Sequence, residues 1–334
     1  MKFGETFTEY LHGDQEGFLE SFSHVEYKRL KKVLKSCRRC KHSSDSCSAE
    51  EEQADGSVVK ELCQCETCSV CDQKFFTELM REASDIDGCF RSRVRRLLQL
   101  NVANGMQRYI KILRNCFRGD DQHLMLQEGR MLIEYIAMNA IAMRKILKKY
   151  DKVHGTENGR NFKSKLRAEH VELLQSPWLI ELGAFYMNCR GSNAECNGHS
   201  GQSSFDFDPE VSVMTMSLPD SMSVEYDLTC SICLDTVFNP HALSCGHLFC
   251  KLCACSAASV YIFQGLKSAS ADKKCPVCRE AGVYAKSFHL SELNLLLKNR
   301  CKQQWKERMA AERAEMVKQS KEYWDMQTKY VIGY

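Results

Sequence analysis

Apolar residues in the first half of the chain recur with a helical period. Leu30, Val33, Leu34 and Cys37 fall at i, i+3, i+4 and i+7, one face of a 3.6-residue turn, which predicts helix across 1–36. The pattern resumes over about 75–115. It returns from about 124 to 152, where Leu132, Ile136, Ala140, Met143, Leu147 and Tyr150 share one stripe. Gly155, Asn158 and Gly159 interrupt it before a further helical stretch at 161–175. Ser176-Pro177 then supplies a cap and a first-turn proline, the start signal of another helix. Together these segments predict a mainly α half, a helical bundle with long helices. The polar stretch 41–59 reads as loop. Residues 190–229 lose the stripe and read as a linker with a short strand near 211–218. A charged helical tail follows over 290–326, with Leu293, Leu297 and Trp305 on one side.

Composition sharpens this outline. The chain has 334 residues, which suits two domains, and 5 prolines, none before Pro177, so nothing interrupts long helices there. Of its 20 cysteines, seven lie in 37–71 and eight in 230–278. The segment MKFGETFTEYLHG has no apolar core of a secretory signal, and no run of 18 apolar residues occurs. An intracellular chain with reduced thiols is expected, and clustered Cys with His then points to metal rather than disulfides. The 46 basic and 43 acidic residues nearly cancel, leaving +3, so a uniformly basic nucleic-acid coat is excluded.

The second cluster reads Cys230-x2-Cys233-x11-Cys245-x-His247-x2-Cys250-x2-Cys253-x21-Cys275-x2-Cys278. Eight soft ligands in four pairs suffice for two closed tetrahedral zinc sites, and metal can replace the core that so short a segment cannot build. Cys255 is surplus and reads as a buried thiol. The order of three cysteines, one histidine and four cysteines resembles the RING finger. That resemblance implies a cross-brace: Cys230, Cys233, Cys250 and Cys253 on one ion, Cys245, His247, Cys275 and Cys278 on the other. It also implies ubiquitin transfer without a covalent intermediate, by orienting a charged ubiquitin-conjugating enzyme. In the family's docking positions this sequence has Ile232, Pro276 and the small Ala257. Arg279 follows the last ligand, where many RING ligases carry an arginine that bridges ubiquitin and the conjugating enzyme.

Charge is concentrated in the helical half. Between 24 and 41 stand eight basic residues against Glu26 alone. Lys145, Lys148, Lys149 and Lys152 recur at i, i+3, i+4 and i+7, opposite the stripe of Met143, Leu147 and Tyr150. Such a face is either solvated or neutralised by a multivalent anion, and physics alone balances the two. MKFG at the start, Tyr27 followed by Leu-Lys-Lys, and KILKKYDK at 145–152 resemble an SPX domain. That family is a helical bundle with two long helices that binds inositol polyphosphates. The resemblance assigns the ligand to Tyr27, Lys31, Lys145, Lys148, Lys149 and Lys152, with Lys2 as a further contact.

SPX followed by RING is similar to the plant ubiquitin ligases of the nitrogen limitation adaptation or benzoic-acid-hypersensitive family. SPWL at 176–179, DLTCSICLDTVF at 227–238, CACSAASV at 253–260 and KEYWD at 321–325 extend the match. The implied organisation is an SPX domain at 1–189 with a Cys-rich insertion at 37–71, a linker at 190–229, a RING at 230–279 and a helical extension at 280–334. The implied partners are a conjugating enzyme, ubiquitin, membrane phosphate transporters as substrates and an inositol polyphosphate, with no nucleic acid. The implied location is cytoplasm at the plasma membrane, or nucleus. A non-enzymatic protein that binds zinc and polyanions is the competing reading. The tail can pair two copies as a homodimer or pack on the RING. Cys37, Cys40, Cys68 and Cys71 can hold a third zinc, and a loop of reduced thiols fits their irregular spacing equally.

Overall fold

A computed structural model describes residues 3–12, 22–34, 69–99, 119–190, 204–218 and 222–332. They form two compact units, one of residues 1–92 and 135–173, the other of 93–134 and 174–334.

The first unit contains α1 (Phe3–His12), α2 (residues 27–34), most of α3 (Ser69–Gln99), most of α4 (Gly119–His154) and α5 (Asn158–Ala168). The stripe expected along α4 is buried throughout, from Leu132 to Tyr150, and Phe75, Leu79, Ile86 and Phe90 of α3 are buried too. Tyr150 stacks on Phe75 at 4.9 Å between ring centroids. Each such side chain removed from water contributes about 1.5–3 kcal/mol.

The single helix expected over 1–36 is broken, because residues 22–26 leave the helix and find their partners on other elements. The Val25 N–H donates to Asn139 Oδ1 at 2.9 Å, and the Asn139 amide donates in turn to the Tyr135 carbonyl at 2.8 Å. The Tyr135 hydroxyl donates to the Ser23 carbonyl. Glu82 of α3 accepts the Glu26 N–H at 3.2 Å and the Arg29 guanidinium at 3.0 Å, capping the start of α2 with a carboxylate from 56 residues away. Apolar periodicity cannot register a break whose causes are polar side chains elsewhere. The α4–α5 corner behaves locally instead. Gly155 takes φ 65, and Gly159 donates its N–H to Asp151 Oδ1 at 2.7 Å. A Cβ at Gly159 would come within 2.8 Å of the Leu147 carbonyl, so glycine is required there. The helix expected over 161–175 ends at Ala168, with His170 at φ 56 and a short 3-10 turn at Leu173–Gln175.

The second unit holds α6 (Pro177–Arg190), a sheet of β1 (Ser204–Asp208), β2 (Val213–Leu218) and β3 (Met222–Asp227), and then the cysteine-rich segment. Proline does open α6 as expected, but the Ser176 hydroxyl is buried without a hydrogen-bond partner among the described residues. The short strand expected near 211–218 within the linker at 190–229 is present as β2, but it is the centre of a sheet of three antiparallel strands over 204–227, ordered β1-β2-β3. Phe205, Phe207, Met214, Met216, Leu218 and Tyr226 are buried while Asp206, Asp208, Glu225 and Asp227 are exposed. That alternation has the period of a half-buried strand, and the acidic outer face masks it in a composition-based reading.

The expected boundary at 189 does not coincide with the compact units, since α6 packs in the second one. Gly183 lies so close to Phe205 of β1 that a Cβ there would meet the ring at 2.6 Å, and Trp178 stacks on Phe288 at 4.1 Å. Glu181, 3 % exposed, accepts the N–H groups of Glu292 at 2.8 Å and Leu293 at 3.0 Å. It thereby caps α8 (Ser291–Arg300), the helix after the cysteine-rich segment, which has no side-chain cap of its own. Burial pushes the Glu181 carboxyl up to about 7, against the lowering effect of those donors. A carboxyl raised in the folded state above its unfolded value stabilises the fold fully at low pH and loses that contribution as pH rises through 7. Glu181→Gln should therefore gain stability relative to the unmodified chain as pH rises from about 5 to 8. Denaturant unfolding of both proteins across that range measures it, and parallel curves would contradict the raised carboxyl.

Candidate metal centre and ligase site

Four of the zinc ligands come from two turns of the same construction. In the first, the Cys230 N–H donates to the Asp235 carbonyl at 2.8 Å and the Leu234 N–H to the Cys230 carbonyl at 2.8 Å. In the second, the Cys275 N–H donates to the Glu280 carbonyl at 2.9 Å and the Arg279 N–H to the Cys275 carbonyl at 2.9 Å. Leu234 and Arg279, each four residues after the first cysteine, both take the left-handed conformation, at φ 57 and φ 61. A left-handed non-glycine residue is unfavourable unless its surroundings hold it, and here the turn that aims two sulfurs at one point does so.

The other ligands are placed by a small sheet of β4 (Pro240–Ala242), β5 (Leu248–Cys250) and β6 (Phe288–His289), ordered β5-β4-β6, and by α7 (Lys251–Ala258), with Cys245 and His247 in the turn between β4 and β5. Gly246 at φ 87 closes the turn between Cys245 and His247. Cys250 ends β5 and precedes α7, and Cys253 lies in its first turn, where helix N–H groups favour thiolate.

Two groups of four result: Cys230, Cys233, Cys250 and Cys253, and Cys245, His247, Cys275 and Cys278, with the ligand atoms of each group within 4.8 Å of one another. The pairing of first with third and second with fourth is the expected cross-brace. Its dimensions suit zinc. A tetrahedron with Zn–S bonds of about 2.3 Å has an edge of about 3.8 Å, and a Zn–S, Zn–N edge is about 3.6 Å. Cys233 and Cys250 sulfurs are 3.8 Å apart, and Cys275 Sγ is 3.7 Å from His247 Nδ1. The eight residues thus fit two Zn²⁺ ions, with Nδ1 as the histidine's ligand atom. Cys255, 1 % exposed, stands outside both groups, and burial pushes its thiol up to about 11, as suits an inert packed cysteine.

Ile232 lies exposed on the first zinc turn, and Pro276 and Arg279 are exposed on the second. Ala257 is half-buried on α7. The basic residues belong to the first unit. Lys148 and Lys152 are exposed on α4, while Lys145, Lys149 and Lys31 are half-buried. Tyr27 and Lys145 meet through Phe3: the Lys145 ammonium is 4.1 Å from the centre of the Phe3 ring, and Tyr27 packs edge-on to that ring at 5.4 Å. Desolvation raises the Tyr27 phenol, which keeps it a proton donor at neutral pH. Phe3, inside the MKFG motif, thus joins two of the expected ligand residues, and the sequence reading did not single it out. Lys2 and Cys37, Cys40, Cys47, Cys63, Cys65 and Cys68 lie outside the described residues, as does the Cys71 side chain, and with them the third-zinc reading.

A C3HC4 zinc-finger (RING finger) family model matches residues 230–278, so the class of protein is a two-zinc RING protein. The chain is 59% identical over 336 residues to the "Probable E3 ubiquitin-protein ligase BAH1-like" of Arabidopsis thaliana. It is 56% identical over 339 residues to "Probable E3 ubiquitin-protein ligase BAH1-like 1" of rice, and 44% over 344 residues to "E3 ubiquitin-protein ligase NLA" of Arabidopsis thaliana, with 100% of both chains covered each time. The chain belongs to this family of BAH1-like and NLA ubiquitin ligases, and it is a RING-type ubiquitin-protein ligase. No helix among the described residues is long and apolar enough to cross a membrane.

Cys230→Ser and Cys278→Ser should each lower the zinc content by one ion per chain, read by elemental analysis of purified protein. Unchanged content in either would break the assignment.

Proposed function

We propose that the ligase docks its conjugating enzyme on the two zinc turns and reads an inositol polyphosphate on the lysine face of α4. The observation that carries the docking reading is the matched geometry of the turns, which exposes Ile232 on one and Pro276 and Arg279 on the other. Ile232 and Pro276 would bury apolar surface against the conjugating enzyme. Arg279 would hydrogen-bond ubiquitin and fix the thioester for attack by a substrate lysine, an orientation effect. The catalytic contribution is positional, and no side chain of this chain acts as nucleophile.

The polyanion reading rests on the junction of Tyr27, Phe3 and Lys145. Tyr27 supplies a hydroxyl donor, and Lys145, Lys148, Lys149 and Lys152 supply mobile point charges that meet several phosphates at once. Lys31 extends the set from α2. On this reading the first unit is an SPX domain, and its ligand reports phosphate status to the RING. The substrates are then plasma-membrane phosphate transporters, modified in the cytoplasm, with a homodimer as the working form and a nuclear pool allowed.

In a reconstituted reaction Ile232→Ala should abolish ubiquitin-chain formation while zinc content stays at the level of the unmodified chain. Undiminished chains would remove Ile232 from the docking surface. Lys148→Ala with Lys152→Ala should weaken binding of inositol hexakisphosphate by about 10–100-fold in calorimetry, from the loss of two charge-assisted contacts. Unchanged affinity, or tighter binding of duplex DNA at physiological salt, would overturn the polyanion site.

A further inference from the structure

The last helix, α9 (Lys302–Ile332), is charged along most of its length, yet one face of it is engaged with the zinc-binding segment. Arg308 donates from its guanidinium to Cys253 Sγ at 3.6 Å. Glu312, 9 % exposed, accepts the Asn239 side-chain amide at 2.6 Å and the Leu252 N–H in the first turn of α7. Gln319 accepts the Ile262 N–H at 3.0 Å, and the Tyr323 ring meets Tyr261 at 5.6 Å and Phe263 at 5.5 Å. Positions 308, 312, 319 and 323 are spaced 4, 7 and 4 apart, so at about 100° per residue they lie within one narrow arc of the helix.

The charge of the first zinc centre gives that contact its meaning. Zn²⁺ with four thiolates carries −2, whereas the second centre, with three thiolates and a neutral imidazole, carries −1. Arg308 stands beside Cys253 and also faces Cys250 and Cys233, three of the four ligands of the more negative centre. A guanidinium there offsets thiolate charge without touching the metal, and its planar fork constrains where a sulfur can sit. Glu312, one turn further on, holds the start of α7, the element that carries Cys253.

We propose that Arg308 is a positioning residue of the first zinc centre and that α9 is a built-in part of that centre rather than an appendage to the RING. Zinc retention at Cys230, Cys233, Cys250 and Cys253 then depends on α9. The Cys230–Cys233 turn also carries Ile232, so α9 acts through the metal on the surface that docks the conjugating enzyme. This last step rests on the docking reading above; the zinc step does not.

The test uses the full chain as purified, Arg308→Gln and Arg308→Lys, with release of zinc to a chromogenic chelator as the readout. Arg308→Gln should release one ion about 10-fold or more faster and the rest at the unmodified rate. Arg308→Lys, which keeps the charge and loses the fork, should fall between. In cobalt-loaded protein the fast ion should be the one with the four-thiolate spectrum. Unmodified release from Arg308→Gln would overturn the proposal, and so would equal acceleration of all ions, which would mark Arg308 as a packing residue only. The measurement contains no conjugating enzyme or ubiquitin. An accelerated release in Arg308→Gln together with full activity of Ile232→Ala would leave this inference standing and sink the docking one.

Discussion

Two metal tetrahedra hold the functional end of this protein in shape. Each draws its ligands from two segments that are distant in sequence, Cys230 and Cys233 with Cys250 and Cys253, and Cys245 and His247 with Cys275 and Cys278. Interleaving the pairs locks the turns into one body, so neither turn can relax without disturbing the other. Left-handed residues at Leu234 and Arg279 and strands of two or three residues persist because metal–sulfur bonds supply what a small core cannot.

Within each unit the fold depends on carboxylates lent from one element to the start of a helix. Glu82 caps α2, Glu181 caps α8 and Glu312 caps α7, while α7 and α8 make no side-chain cap bond of their own. A carboxylate at a helix N-terminus meets the free N–H groups and the positive end of the dipole at once. The same groups are buried, and desolvation raises the carboxyls of all three. These caps fix which helices pack together, and two of them tie α6 and α9 to the elements that surround the zinc ligands. The zinc ligands, the sheet of β4 to β6 and the C-terminal helices are therefore tied together by direct contacts.

The zinc ligands and the buried stripe of α4 were legible in the residues alone, and the resemblance to the RING finger implied how the ligands pair. Cys-x-x-Cys steps and a 3.6-residue apolar period are local signals, because spacing along the chain sets the geometry in space. The break at 22–26 was not legible, because the partners that cause it, Asn139 and Glu82, are 114 and 56 residues away. Strands β1 and β3 were hidden by the acidic residues that alternate with their buried ones. The tail was the instructive case. Leu293, Leu297 and Trp305 suggested a short apolar stripe and left its partner open, whereas α9 engages the RING through Arg308, Glu312, Gln319 and Tyr323.

By itself, then, the sequence determined the chemistry of the protein: which eight atoms bind metal, which helices are long and where positive charge accumulates. Each follows from the types and spacing of near neighbours. Only the tertiary structure decided how far the RING extends, that α6 groups with it, and that an arginine of the last helix faces a zinc-bound thiolate. Those outcomes come from single polar contacts between residues far apart in the chain, and a hydrogen bond of that kind leaves no periodic trace in the sequence.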